Sequence, residues 1–231
     1  MASITDLDFK NKRVLIRVDF NVPIDKASNE VNDNSRIKAA IPTIKHVIAN
    51  GGSVVLMSHL GRPKSGYDAN LSLKKIIPEL SKLLGQEVVF AGDDCVGSSA
   101  FEITNSLPSG EVVLLENLRF HDAEKEGNIY FAEQLAKHGN YYINDAFGTA
   151  HRAHASTAVI AQFFERKKAF GFLIENEIKA VDKVVNDAKK PVVAIIGGAK
   201  VSSKITIIEK LLSSVDHLII GGGMTYTFVK A

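Results

Sequence analysis

Four apolar segments of this chain each lead, within a few residues, into a loop that carries an arginine or a histidine. They are VLIRVDFNVP (14–23), VVLMSHLGRP (54–63), VVLLENLRFH (112–121) and YYINDAFGTAHRAHAS (141–156). Guanidinium groups hold carboxylates and phosphates through charge-assisted hydrogen bonds, often two at a time. Four cationic loops brought together would therefore bind a small, multiply charged anion such as a phosphorylated carboxylate.

The elements that must position these loops alternate between strand-like and helix-like patterns. Residues 35–52 place isoleucines at spacings of three and four between a serine and two glycines, which predicts a helix, and 71–84 and 131–140 repeat the pattern. Such alternation predicts an α/β fold, a Rossmann-like three-layer lobe with a parallel sheet flanked by helices. Ligands of such sheets bind beyond the carboxyl ends of the strands, so the four loops are expected to converge on one site.

The second part of the chain begins with a long helical pattern. Residues 172–188 are charged on one face and apolar on the other, which predicts a connector helix after a first lobe at 1–171. The βα rhythm then restarts in residues 189–231 with VVAIIGG, KITIIEKLLSSV and HLIIGGGM. These elements are too few for a complete sheet, and they are interpreted as the incomplete start of a second, similar lobe.

Composition excludes several classes of protein. The net charge of +2 over 231 residues is too small to indicate nucleic-acid binding. One cysteine, Cys95, excludes an internal disulfide and a cysteine-rich zinc site. The amino terminus has no signal-peptide pattern and no apolar run would span a bilayer, so we expect a cytoplasmic protein that binds no membrane.

The candidate anion contacts are cationic side chains at strand ends or helix starts. Arg62 lies in the tight turn HLGRP, and Arg119 and Arg152 occupy equivalent positions after later strands. Arg36 opens a helix, where free amide groups also favour an anion. Arg17 lies inside its strand and is interpreted as structural, with a carboxylate as its expected partner.

Other polar residues leave alternatives open. Asp19 and Asn21 would accept hydrogen bonds from a substrate hydroxyl or form an Asx turn before Pro23, and the pattern does not separate the two. His151 and His154 stand three apart, a spacing found among metal ligands, but a structural or anion-contacting role is favoured. A metal-dependent hydrolase built on these two histidines and His59 is a remote alternative.

Glycines and lysines recur at the strand ends of the second part. Gly197 and Gly198 precede Lys200 and Lys204 as a helix begins, and residues 221–223 form a second glycine-rich strand end. Glycines let a phosphate approach the backbone and lysines add positive charge, so a nucleotide site is indicated although the P-loop spacing is absent. Two sites for anions suggest phosphoryl transfer between them.

Six motifs, taken in order, closely resemble those of the phosphoglycerate kinase family. They are RVDFNVP, SHLGRP, ENLRFH, NDAFGTAHRAHAS, GGAKVSSK and IIGGGM, and they run from near the start of the chain to its last residues. The resemblance implies a two-lobed, monomeric glycolytic enzyme that transfers a phosphoryl group reversibly between 1,3-bisphosphoglycerate and ADP, giving 3-phosphoglycerate and ATP, with Mg²⁺. It also implies that the lobes close about the connector and expel water.

The resemblance also assigns residues. It implies that 3-phosphoglycerate is bound by Asp19, Phe20, Asn21, Arg36, His59, Leu60, Gly61, Arg62, Arg119, Gly148, Thr149 and Arg152. Arg36 and Lys200 would stabilise the phosphoryl group in transfer, and Gly198, Lys204, Gly222 and Gly223 would face the nucleotide.

The chain departs from the family in length, since family members are considerably longer. The family's later residues for the nucleotide ribose and magnesium have no counterpart here, so a fragment with impaired catalysis is expected. The alternative is a stand-alone, non-catalytic module that binds a phosphorylated acid.

Overall fold

The computed structural model describes residues 3–25, 27–64, 66–186, 189–198, 201–202 and 204–230. It divides into two compact units, Met1–Glu177 and Ile178–Ala231, and the boundary falls inside the helix that the sequence assigns to a connector. Within the described ranges, no helix is both long enough and apolar enough to cross a membrane.

Unit 1 is built on a six-stranded parallel sheet, as the alternating pattern predicts. Its strands are β1 (Arg13–Val18), β2 (Ser53–Met57), β3 (Val88–Phe90), β4 (Val112–Leu114), β5 (Tyr141–Asp145) and β6 (Lys168–Phe170). Their spatial order is β3-β4-β2-β1-β5-β6, and every adjacent pair is parallel. The chain reverses its direction of strand addition between β1 and β5, so a crevice opens there at the carboxyl ends.

Helices cover both faces of this sheet. The α-helices of unit 1 are α1 (Ser35–Ala49), α2 (Ile77–Leu84), α3 (Ser98–Asn105), the one-turn α4 (Asp122–Lys125), α5 (Ile129–Ala136) and the one-turn α6 (Phe147–Ala150). A further helix, α7 (Phe172–Asn186), begins in unit 1 and ends in unit 2. Pro78 lies in the first turn of α2, where its missing N–H costs no helical hydrogen bond, and Gly85 ends that helix with a left-handed φ of 77°.

Both faces of the sheet are buried, which explains why its strands read as continuous apolar runs. In β1, Ile16 packs in the cluster with Val54 and Ile44, whereas its neighbour Leu15 packs in the opposite cluster with Val55. The two clusters lie on opposite sides of the sheet because successive side chains of a strand alternate.

Two elements of unit 1 have weak sequence signals. Strand β6 has three residues, and its first residue, Lys168, ends the charged stretch 165–168, so its alternation is too short to be recognised. Its position is set by pairing with β5, where Ile143 lies opposite Ala169. Helix α3 is similarly short and polar, and only Ala100 and Thr104 are buried.

In its described residues, unit 2 contains the end of α7, a short parallel pair of strands and two further α-helices. Strands β7 (Val193–Gly197) and β8 (His217–Gly221) pair in register, and α8 (Ile205–Leu212) and α9 (Thr225–Lys230) follow them in sequence. Its small cluster of buried side chains consists of Ile196, Ile208 and Met224.

Candidate anion-binding site

The loops that follow β1, β2, β4 and β5 lie at the carboxyl edge of the unit 1 sheet, because these strands are parallel. Three of the predicted arginines share one cleft there. This arginine cleft has a volume of about 320 Å³ and is lined by Arg62, Pro63, Arg119, Lys125, Arg152 and His154. None of the described lining residues is acidic, so the concentrated positive charge favours an anion.

Arg119 is the most constrained arginine of the cleft. It is only 9% exposed, and one guanidinium nitrogen donates to the carbonyl of Gly61 at 2.8 Å. Burial lowers the pKa of Arg119, and the positive charges of Arg152, Arg17 and Arg62 lower it further. This mutual repulsion is relieved when an anion binds, because the anion compensates several cations at once.

A buried asparagine fixes the turn that carries Arg119. Asn117 accepts the N–H of Arg119 at 3.0 Å, and its side-chain amide donates to the carbonyls of Leu60 and Leu71 at 2.8 and 2.9 Å. Asn117 thus joins the loop after β4 to the HLGR loop after β2. This residue has no place among the sequence-predicted site residues, although it stands in the recognised ENLRFH motif.

Glu116, which precedes Asn117, links this turn to the residues before α2. Its carboxyl group accepts from Ser72 Oγ at 2.6 Å, from the Leu73 N–H at 2.8 Å and from the Asn117 N–H at 2.7 Å. Burial raises the pKa of Glu116, and these hydrogen bonds act against that rise. The sequence does not reveal the buried role of Glu116, because a single glutamate before an asparagine looks the same as one at a surface position.

The loop after β1 forms the Asx turn that the sequence leaves open. The Asn21 N–H donates to Asp19 Oδ1 at 3.3 Å, while Arg36 forms an ion pair with Asp19 Oδ2 at 2.7 Å. Asn21 Oδ1 in turn accepts the N–H of Gly61 at 2.8 Å. Local turn formation is therefore compatible with a binding role, because part of each side chain's hydrogen-bonding capacity remains.

Arg36 does not line the arginine cleft. It lies in a neighbouring crevice of about 210 Å³ at the switch point between β1 and β5, lined by Asp19, Ser35, Arg36, Ala39, Phe147, Gly148 and Leu173. Thr149 is buried beside this crevice and donates through its hydroxyl to the Ala146 carbonyl at 3.2 Å. Of the predicted anion contacts, Arg62, Arg119 and Arg152 line one cleft and Arg36 lines another.

A third hollow, of about 540 Å³, borders the loops after β1 and β2. Asn21, Leu60 and Gly61 line part of it. The Phe20 and Leu60 side chains lie in the core, and the Phe20 N–H donates to Ser58 Oγ at 2.9 Å. These two predicted site residues therefore hold their loops against the core, and their side chains do not line the arginine cleft.

Arg17 and His59 are buried below the arginine cleft. Arg17 is 1% exposed, and its NH2 group lies 3.1 Å from His59 Nδ1. The structural interpretation of Arg17 is supported, but the expected direct carboxylate partner is not seen among the described residues. Burial, followed by the charges of Arg17, Arg119, Arg152 and Arg36, lowers the pKa of His59 to about 2.

The histidine metal site does not form in the described part of the chain. There, the one group of three potential ligands is Asp94, Cys95 and His121, which includes none of His59, His151 and His154. His154 lines the arginine cleft with Nδ1 at 3.8 Å from Glu124, whereas His151 is exposed. Cys95 is a buried free thiol, as expected for an isolated cysteine.

In unit 2, the two glycine-rich strand ends are neighbours. Gly197 pairs with Gly221, and a Cβ atom on Gly222 would lie 3.0 Å from the backbone nitrogen of Gly198. Lys204 extends over this turn, since a Cβ atom on Gly198 would approach its Nζ to 2.6 Å. The cradle of backbone and one lysine suits a phosphate. Lys200, the predicted catalytic lysine, lies outside the described residues.

Comparison with known proteins identifies the family. The family described as phosphoglycerate kinase matches residues 4–231. The chain belongs to the phosphoglycerate kinase family. It is 48% identical over 254 residues to the phosphoglycerate kinase of Porphyromonas gingivalis, covering 99% of this chain and 60% of that protein. It is 52% identical over 233 residues to that of Moorella thermoacetica, covering 100% and 58%.

Solved phosphoglycerate kinases show the same fold. The Coxiella burnetii structure superimposes with a TM-score of 0.85 at 38% identity, covering 99% of this chain and 56% of that one. The Pyrococcus horikoshii structure also gives 0.85, at 34% identity, with 100% and 57% covered. The chain thus spans between half and three fifths of the length of these relatives.

Proposed function

We propose that this chain supplies the acid-binding part and the first nucleotide-binding elements of a phosphoglycerate kinase. The whole protein would catalyse reversible phosphoryl transfer between 1,3-bisphosphoglycerate and ADP in glycolysis. The observation that carries the proposal is the arginine cleft, where Arg62, Arg119 and Arg152 converge without an acidic lining residue in the described part of the chain. The family match, which includes unit 2, does not favour a stand-alone binding module.

The acid substrate carries two anionic groups and a hydroxyl, and unit 1 offers partners for each. The arginine cleft suits one anionic group, and Arg36 in the adjacent crevice suits the group that reacts. Asp19, which lines the Arg36 crevice, and Asn21, which contacts Gly61, have acceptor oxygens for the hydroxyl. The remaining assigned residues, His59 to Gly61 together with Gly148 and Thr149, shape the same loops.

The nucleotide would bind at the glycine cradle of unit 2. Gly198, Gly222 and Gly223 let phosphates approach the backbone, and Lys204 adds a positive charge. The described residues of unit 2 offer no cluster of ligands for Mg²⁺, so the metal is proposed to arrive with ATP or ADP and to be held by other parts of the whole enzyme.

Phosphoryl transfer requires positioning and compensation of negative charge more than covalent chemistry. Arg36 would compensate the charge of the transferring group from the acid side, and Lys200 is proposed for the same role. Hinge closure, a monomeric state and a cytoplasmic location form part of the proposal. The location rests on the single free thiol, and relatives named chloroplastic occur in Volvox carteri and Chlamydomonas reinhardtii.

Calorimetric titration of the chain with 3-phosphoglycerate at low ionic strength tests the proposal. We expect saturable one-to-one binding that is stronger than binding of glycerol 3-phosphate, which lacks the carboxylate, and of inorganic phosphate. Equal affinity for 3-phosphoglycerate, glycerol 3-phosphate and inorganic phosphate would show that the site binds anions without recognising the acid. No binding by a chain that circular dichroism shows to be folded would refute the proposal for unit 1.

A further inference from the structure

A continuous set of buried polar contacts runs beneath the arginine cleft. Arg17 Nε donates to Ser156 Oγ at 2.9 Å, and Ser156 Oγ donates to Glu124 Oε1 at 2.6 Å. The other carboxylate oxygen of Glu124 accepts the Ser156 N–H at 2.9 Å. Arg17 and Glu124 are each 1% exposed and Ser156 is fully buried, so this set is shielded from water.

The contacts join three loops of the candidate site. Glu124 lies in α4, directly after the turn that carries Arg119, and Ser156 lies in the loop that carries Arg152. Arg17 lies in β1 and contacts His59, the first residue of the HLGR turn. A cation and an anion separated by one hydroxyl thus connect the segments that carry the three cleft arginines.

The hydrogen-bonding roles in this set are fixed by chemistry. A guanidinium group can only donate, so the Nδ1 atom of His59, 3.1 Å from Arg17 NH2, must accept. The neutral ring then carries its proton on Nε2. Ser156 has one hydroxyl proton and gives it to Glu124, which leaves its oxygen lone pairs for Arg17.

We propose that Arg17, Ser156 and Glu124 form a positioning relay that keeps His59, one of the residues assigned to the acid site, neutral with its proton on Nε2. This inference rests on the proposed function. Arg17 and Glu124 are positioning residues because they act through His59 and Ser156. Glu124 also faces His154 Nδ1 at 3.8 Å, so the relay extends to the wall of the cleft.

The electrostatic surroundings of His59 favour the neutral ring. The charged groups that act on it are Arg17, Arg119, Arg152 and Arg36, and all of them oppose protonation. A neutral ring among these arginines adds no further positive charge beneath the cleft. It also keeps the same state throughout the physiological pH range, unlike an ordinary histidine.

Long-range ¹⁵N–¹H correlation spectra of the histidine rings test the relay in the intact chain. His59 is identified by the signal lost in His59→Gln. His138 provides an internal standard for the same tautomer, because its Nε2–H is directed at the Cys95 carbonyl at 2.9 Å. We expect His59 to show the neutral Nε2–H form at every pH at which the protein is folded. A proton on Nδ1, or titration near pH 6.5, would overturn the proposal.

The variant Ser156→Ala tests whether the relay maintains this state. It removes the hydroxyl that accepts from Arg17 Nε, so the guanidinium is no longer held against His59 Nδ1. We expect a mixed tautomer signal for His59 and at least about fivefold weaker binding of 3-phosphoglycerate, while Ser106→Ala, which removes a hydroxyl bound only to helix carbonyls, changes neither. An unchanged tautomer and unchanged affinity in Ser156→Ala would exclude the relay.

The two proposals fail in distinguishable ways. If the wild-type chain does not bind 3-phosphoglycerate, the proposed function fails for unit 1, and the tautomer measurements still decide the relay. If the acid binds but Ser156→Ala leaves His59 unaltered, only the relay is wrong. Circular dichroism of each variant separates these results from a loss of folding.

Discussion

The N–H of Gly61 donates to Oδ1 of Asn21 at 2.8 Å, which joins the loop after β1 to the loop after β2. The Gly61 carbonyl accepts from Arg119 on the opposite side. One glycine therefore connects three strand ends through its two backbone groups. The geometry of the acid site depends on such backbone contacts as much as on the arginines themselves.

Replacing Arg36 by alanine should weaken 3-phosphoglycerate binding without unfolding the protein. The Arg36 side chain is 50% exposed and pairs with Asp19, so its contribution to the free energy of unfolding should be less than about 1 kcal/mol. Loss of a charge-assisted contact to the ligand should reduce binding by about 1.5–3 kcal/mol. Lys38→Ala, on the same helix, is the matched control for calorimetry, and an Arg36 variant with the control's affinity would place Arg36 outside the site.

Changing Asn117 to aspartate should be strongly destabilising, although the shapes match. The buried carbonyls of Leu60 and Leu71 would lose their donor and face a carboxylate, at a cost of about 2–4 kcal/mol. Urea unfolding measures this loss. Asn128→Asp is the control, because Asn128 caps α5 through Oδ1 alone, accepting from Tyr130 and Phe131, and a carboxylate suits that position. Equal effects of the two changes would contradict this account.

Gly127 to alanine should displace the loop that carries Arg152. Gly127 has φ of 66°, and a Cβ atom there would lie 2.5 Å from the carbonyl oxygen of Ala153. The control Gly85→Ala has a similar φ of 77° with open space around it, so it should cost only the backbone strain of about 1–2 kcal/mol. We expect Gly127→Ala to be less stable than the control and, alone of the two, to bind 3-phosphoglycerate more weakly in calorimetric titration.

Asp145 should give unit 1 a pH-dependent stability. The residue is fully buried, its Oδ1 accepts from the N–H groups of Leu173 and Ile174 at the start of α7, and its Oδ2 has no partner among the described residues. Burial raises its pKa from 3.8 to about 6. The folded protein therefore binds this proton more tightly than the unfolded chain, and the resulting stabilisation, complete below pH 3.8, is lost as the pH rises through 6.

Asp145→Asn tests this linkage. The variant keeps an acceptor for the α7 amides and never ionises, so above pH 7 it should be more stable than wild type by on the order of 2 kcal/mol. The difference should shrink as the pH falls below 6. Thermal unfolding at several pH values measures it, with exposed Asp93→Asn as the control. A constant difference from pH 4 to pH 8 would show that Asp145 does not titrate as described.

The fold class can be predicted from the sequence because the strand pattern and the helix pattern are both local. Apolar strand runs and the 3.6-residue spacing of Ile37, Ile41 and Ile44 specify the parallel sheet and α1 directly. The sequence does not reveal β6. Residues 168–170 form a strand because they pair with β5, and three residues are too few to carry a recognisable strand pattern.

The candidate site shows the same division. Arg62, Arg119 and Arg152 can be found from strand ends and turn residues, and the structure brings them together. Glu124 and Ser156 cannot be found in this way, because their role depends on burial beside Arg17, more than 100 residues away in sequence. Residues that line a cleft have sequence signatures, whereas those that support it from below usually do not.

The order of the strands also has a kinetic consequence. Arg17 and Ser156 are 139 residues apart in sequence, and β4 must insert between β2 and β3 before the loop of Arg119 meets that of Arg62. Contacts of such long sequence separation form late, since the chain entropy of closing long loops opposes them. We therefore expect ligand binding by the refolding chain to appear only with the last phase of sheet assembly, so that the acid itself serves as a probe of completed folding.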